Sequence, residues 1–141
     1  RGDGSYALVD YKTGRPPSAK QVVLGLAPQL TLEAAILRDG GFAGIGAGAS
    51  VGELVYVRLS GNDPAGEATV LNLSRGRDQP AQSPDEAADE ARRNLEALVK
   101  AFDNDRQPYT SLNLSMWARR YGDYDDLARI REWAAASGDE P

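Results

Sequence analysis

Apolar and aromatic residues run from Tyr6 to Lys12 (Tyr-Ala-Leu-Val-Asp-Tyr-Lys), and this stretch predicts a short strand. Gly14-Arg-Pro-Pro17 stops it, because proline removes ladder donors and glycine permits the turn. Thr13 or Ser18 opens the next segment. Pro28 suits the first helical position, and Gln29–Arg38 follows with Leu30, Ala34 and Leu37 on one stripe, up to Gly40-Gly41. Residues 39–52 are glycine-rich and read as a flexible connection; the lysine and Ser/Thr of a P-loop are missing, and no dinucleotide fingerprint follows a strand.

Val51–Ser60 is the strongest predicted strand. Val55, Val57 and Leu59 share one face, Leu54 and Tyr56 the other, so both faces are apolar and the strand is expected at the centre of a sheet. A turn at Gly61–Gly66 leads to a second strand over Glu67–Leu73, making a hairpin. Arg75–Gln82 is polar and offers no core residue. Ser83-Pro84-Asp85-Glu86 is a capping box with proline at the first helical position. The helix it opens runs to about Phe102, with an apolar stripe of Ala88, Ala91, Leu95, Leu98, Val99 and Phe102 and with Arg92, Arg93, Glu96 and Lys100 facing water. A loop over 103–115 and a last helix near Asp125–Ala136, burying Leu127, Ile130 and Trp133, complete the expected elements. Strands alternating with helices give an α/β class: a mixed β-sheet flanked by helices, in a single domain over residues 1–141.

Composition narrows the chemistry. The chain has 141 residues, 41% of them apolar and 26% charged, ordinary values for a domain with a sizeable core. No apolar run is long enough to span a bilayer. With neither cysteine nor histidine, disulfides, cysteine-held zinc or iron–sulfur clusters and imidazole base catalysis are excluded. Carboxylate, lysine, tyrosine and a metal ion remain. The net charge of −5 argues against a free-standing DNA binder, since phosphate neutralisation drives such affinity.

Within these limits Asp10-Tyr11-Lys12-Thr13-Gly14 is the most informative segment. Side chains alternate along a strand, so Asp10 and Lys12 point the same way. A carboxylate and an ammonium side by side at a strand end are the pairing that metal-dependent phosphodiester hydrolysis needs, and also a common solvated ion pair.

The surrounding residues carry a resemblance. Asp3–Gly14, with Asp-Tyr-Lys-Thr-Gly at its end, resembles the second half of the nuclease motif of RecB-family PD-(D/E)XK enzymes. Gly25-Leu-Ala-Pro-Gln-Leu-Thr-Leu-Glu-Ala-Ala35 resembles the glutamine-containing helix that follows it. Trp117–Arg129 resembles the C-terminus of AddB proteins of the alphaproteobacterial type, subunits of the AddAB helicase–nuclease that processes broken DNA ends.

The resemblance implies a restriction-endonuclease-like core lacking its first helix and strand, and a chain that is the C-terminal part of a nuclease domain. It implies Mg²⁺, with Mn²⁺ able to substitute, held by Asp10 and the main-chain carbonyl of Tyr11. Lys12 would orient the attacking water or stabilise charge on the phosphate. Gln29 matches the family's helix glutamine, which supports the active site; the plain alternative is an exposed amide. The family's first-strand Asp would precede Arg1, and Asp3, beside Gly4 in a turn, is a poor substitute. The family's tyrosine four places after the glutamine is Glu33 here, and Glu33 receives no role.

Arg15 is a candidate phosphate contact or a surface arginine. Arg119, Arg120, Tyr121 and Tyr124 combine cations with aromatics suited to a DNA strand, opposed by Asp123, Asp125 and Asp126. The implied partners are DNA ends and an AddA-type helicase–nuclease subunit in the bacterial cytoplasm, and the implied process is recombinational repair of double-strand breaks. Two other readings stay open: a catalytically inactive nuclease-like scaffold or DNA-end-binding platform in a larger helicase–nuclease complex, and a RecB-like exonuclease outside AddAB.

Overall fold

The computed structural model describes residues 1–108 apart from 62, 64, 77 and 78. Arg1–Ala101 forms one compact unit, and Phe102–Pro141 forms a second. The predicted last helix, Arg119, Arg120, Tyr121 and Tyr124 lie outside the described residues.

In chain order the elements are β1 (Tyr6–Lys12), α1 (Ala19–Val23), α2 (Gln29–Arg38), β2 (Val51–Leu59), β3 (Gly66–Val70) and α3 (Pro84–Phe102). The sheet is mixed, in the order β1-β2-β3: β1 pairs parallel with β2, and β2 antiparallel with β3. A parallel pair needs a crossover, and α1, α2 and the loop after them supply it. The expected mixed sheet with flanking helices is therefore the observed fold, with β2 at its centre as its two apolar faces required. The β1–β2 register shifts at Gly52, skipped between Val51 and Glu53. A Cβ at Gly52 would lie 2.4 Å from Ser5 Oγ, so any other residue there would displace the Ser5 side chain.

Ser18 opens α1 through a capping box with Gln21, the Ser-x-x-Gln pattern that satisfies otherwise unpaired helix donors. Ser18 is named from sequence as a segment opener, with no helix expected after it; the box is the helix's sequence signal. Pro28 is the residue before α2 rather than its first turn. Leu30, Thr31, Ala34, Ala35 and Leu37 of α2 are buried in a core shared with Val22, Leu54, Tyr56, Leu73, Ala87 and Ala88.

The glycine-rich loop is tied down rather than free. Gly48 N–H donates to Arg38 O at 2.7 Å, and Ile45 and Ala49 pack on the core. Gly40 adopts a φ of 79°, where its missing Cβ would meet Ala47 N at 3.0 Å. β3 ends at Val70, short of the expected Leu73, because Leu73 leaves the ladder and turns into the core, 3% exposed.

Ser83 caps α3 as expected: its Oγ accepts from Glu86 N–H, and Glu86 Oε2 accepts from Ser83 N–H at 2.8 Å. The apolar stripe is buried only at the first turns. Ala87 and Ala88 are in the core, whereas Leu95, Leu98, Val99 and Phe102 are exposed, which corrects the expected buried stripe. Asp85 fixes the buried end: it accepts from Val51 N–H and Ser50 Oγ, both at 2.8 Å, and pairs with Arg38 at 2.7 Å.

Candidate active site

The face of the sheet under α2 changes character along the strands. Register places Leu8 beside Leu54, Asp10 beside Tyr56, and Lys12 beside Arg58. Cross-strand partners point to the same face, so an apolar row gives way to an acid–phenol row and then to a cationic rim. Lys12 and Arg58 stand at the carboxyl ends of two parallel strands, the end at which open α/β sheets present ligands.

Lys12 is the centre of the cluster. Its Nζ lies 2.8 Å from Asp10 Oδ2, with the two side chains 29% and 12% exposed. This is an ion pair by distance, but its angles do not make a hydrogen bond, and the buried Asp10 Oδ2 has none among the described residues. Lys12 Nζ donates to Gln29 Oε1 at 2.8 Å and sits 5.9 Å from the centroid of the Tyr56 ring, within reach of a cation–π contact. Gln29 Nε2 donates in turn to Glu33 Oε1 at 3.1 Å. Residues four apart lie on the same helix face, so the first turn of α2 presents both groups to the end of β1.

Tyr56 is 1% exposed, and its hydroxyl has no hydrogen-bond partner among the described residues. Burial raises its pKa above that of an ordinary phenol, and the charges of Asp10 and Glu33 push it further up. Both carboxylates therefore act electrostatically on the same buried hydroxyl.

The structure thus brings together three residues singled out from sequence, Asp10, Lys12 and Gln29. The Tyr11 side chain, on the opposite face, is 64% exposed, so only its backbone belongs to the cluster. Arg15 is exposed, with no ion pair among the described residues. Asp3 stays in a turn, where its Oδ1 accepts from Ser5 N–H at 2.9 Å and Ser5 Oγ at 2.6 Å. Three members were not assigned from sequence: Tyr56, Arg58 and Glu33. Strand alternation puts Tyr56 and Arg58 on one face, but only the register with β1 shows that this face is the site's.

Asp10 offers hard oxygen donors of the kind Mg²⁺ takes with several waters. Among the described residues no group of three or more Asp, Glu, His or Cys is placed to hold a metal ion. The donors therefore suit a hard divalent cation in kind but would fill only part of its shell. Nor is any described helix long and apolar enough to cross a membrane.

Residues 1–114 match the model of the PD-(D/E)XK nuclease superfamily. An uncharacterized protein of Rickettsia bellii is 30% identical over 79 residues, covering 48% of this chain and 10% of that protein. Uncharacterized proteins of Rickettsia conorii and Rickettsia felis are each 49% identical over 35 residues, covering 25% of this chain and 4% of theirs. The chain thus spans a tenth or less of these relatives' lengths. No solved structure matches it.

Proposed function

The chain belongs to the PD-(D/E)XK nuclease superfamily, and from that premise we propose that it carries one side of a metal-dependent DNA-cleaving site, as the nuclease domain of an AddB-type subunit. The observation that carries the reading is Lys12, held at a strand end between Asp10 and Gln29 at 2.8 Å each.

In this reading Asp10 and the Tyr11 carbonyl would hold the cation, and the second acid that the family carries on its preceding strand would complete the shell. When bound, Mg²⁺ or Mn²⁺ would supply Lewis-acid stabilisation of charge at the scissile phosphate. Lys12 orients the attacking water and stabilises negative charge growing on the phosphate oxygens. A bond forms from the water oxygen to phosphorus as the bond from phosphorus to the leaving sugar oxygen breaks. Arg15 and Arg58 give phosphate contacts beside the reacting group. The resemblance of Trp117–Arg129 supports the AddB-type assignment, with an AddA-type partner delivering DNA ends for double-strand break repair in the cytoplasm.

A second reading has a specific observation behind it. The described residues place no three-ligand cluster, as suits a catalytically inactive nuclease-like scaffold or platform within a larger complex. Cleavage of linear DNA with Mg²⁺ or Mn²⁺ decides between the two. This chain, a version extended upstream, and the extended Lys12→Ala variant are compared. Cutting by the extended protein that falls about 10²-fold or more in Lys12→Ala, with the fold intact, supports the enzyme. No cutting by the extended protein, even with its partner subunit, leaves the platform.

A further inference from the structure

We infer that Glu33 is a positioning residue for Lys12, acting through the side-chain amide of Gln29; this rests on the reading of Lys12 as the group that assists attack. An ammonium only donates, and an ionised carboxylate only accepts. Gln29 lies between one of each, with Oε1 2.8 Å from Lys12 Nζ and Nε2 3.1 Å from Glu33 Oε1. A flipped amide would set its NH₂ against the ammonium and its carbonyl against the carboxylate. The amide therefore has a single satisfied orientation, and Glu33 is the group that makes the other one repulsive.

The relay has a rigid base. Gln29 and Glu33 are four residues apart on α2, whose Leu30, Ala34 and Leu37 are at most 2% exposed. Lys12 is thus gripped from two elements, by Asp10 on its own strand and by Gln29 on the helix above. A lysine stem is long and flexible, and an ion-pair partner on one element with an acceptor on another holds its head far better than either alone. Without the Glu33 carboxylate, Gln29 Nε2 loses its partner and the amide turns toward water. Lys12 then keeps Asp10 alone, and its ammonium leaves the position set by the helix. In this role Glu33 acts through the one oxygen that accepts from Gln29, and ligation of the cation by the carboxylate is the alternative that the Mn²⁺ measurement separates from it.

The test compares Glu33→Ala and Glu33→Gln, with Asp10→Asn as the metal control. A glutamine at 33 still offers an acceptor to Gln29 Nε2; an alanine offers none. The first readout needs no cleavage: the NMR signals of the Gln29 side-chain NH₂ in this chain, assigned by their loss in Gln29→Ala. They are expected at a shifted, exchange-protected position in the wild type and Glu33→Gln, and at the position of a free amide in Glu33→Ala. The second is Mn²⁺ affinity, expected to survive both Glu33 changes and to fall in Asp10→Asn. The third is cleavage by the upstream-extended protein: kcat is expected to fall about tenfold or more in Glu33→Ala with KM nearly unchanged, and to recover in Glu33→Gln.

An unaltered Gln29 amide in Glu33→Ala overturns the relay. Loss of Mn²⁺ affinity in Glu33→Gln, to the level of Asp10→Asn, also overturns it, because Glu33 is then a ligand. If the extended wild type does not cleave, the nuclease reading fails, and the amide signals still judge the relay.

Discussion

Asp10 and Tyr56 stand abreast on the two parallel strands, each with a buried oxygen that makes no hydrogen bond among the described residues. Neighbouring parallel strands put such partners on one face, so both oxygens lie under α2 beside Lys12. Burying a hydroxyl without a partner costs about 1–3 kcal/mol. Tyr56→Phe keeps the ring under Lys12 and removes that hydroxyl. Stability is expected to hold or rise, by up to about 1 kcal/mol, in urea unfolding. A fall of more than about 2 kcal/mol would mean that an ordered water joins the two oxygens.

Asp85 contributes to the acid stability of the unit. Burial works to raise its pKa, but the Val51 N–H, the Ser50 hydroxyl and Arg38 together hold it below the ordinary carboxylate value. A depressed folded pKa contributes stability above the unfolded value of about 3.9, and this stability is lost as pH falls through the folded pKa. Asp85→Asn is expected to lose about 1–3 kcal/mol at pH 7. The gap to wild type should narrow below about pH 4, in denaturant melts taken across pH.

Arg58 is exposed at the rim beside Lys12. Glu67 faces it across β3, with no ion pair between them among the described contacts. As a phosphate contact, Arg58 should add to DNA affinity without reading sequence. Arg58→Ala is expected to weaken binding evenly across sequences and to reduce the salt slope by about 1, in titrations at several salt concentrations.

The two ends of α3 should respond differently to change. Ala88 is 0% exposed and Leu98 is 55% exposed. Ala88→Leu overfills a packed site and is expected to cost about 1–3 kcal/mol. Leu98→Gln is expected to shift stability by less than about 0.5 kcal/mol, measured by thermal or urea unfolding.

The loop after α2 depends on Gly40. A side chain there meets both a positive φ and the Ala47 backbone. Gly40→Ala is expected to destabilise by about 1–2 kcal/mol, seen as a lower unfolding midpoint.

Much was legible in the chain itself. Local rules act over a few residues: strand alternation placed Asp10 and Lys12 together, proline and glycine ended β1, the Ser83–Glu86 box began α3, and the Leu30, Ala34 and Leu37 spacing marked the buried face of α2. The same local reading overstated the α3 stripe, because periodicity shows that a helix is amphipathic but not how far anything covers it. It also extended β3 to Leu73, because an apolar residue that leaves a ladder for the core has the same composition as one that stays.

The sequence by itself determined five of the six described elements, all but α1, and the Asp10–Lys12 pair. Tertiary structure alone decided that β1 lies parallel to β2 with Asp10 beside Tyr56 and Lys12 beside Arg58, and that α2 sets Gln29 and Glu33 over the strand end. Residues 17 to 46 positions apart meet there. Their pairing depends on strand register and helix docking, which follow from packing the whole core rather than from any neighbouring residues.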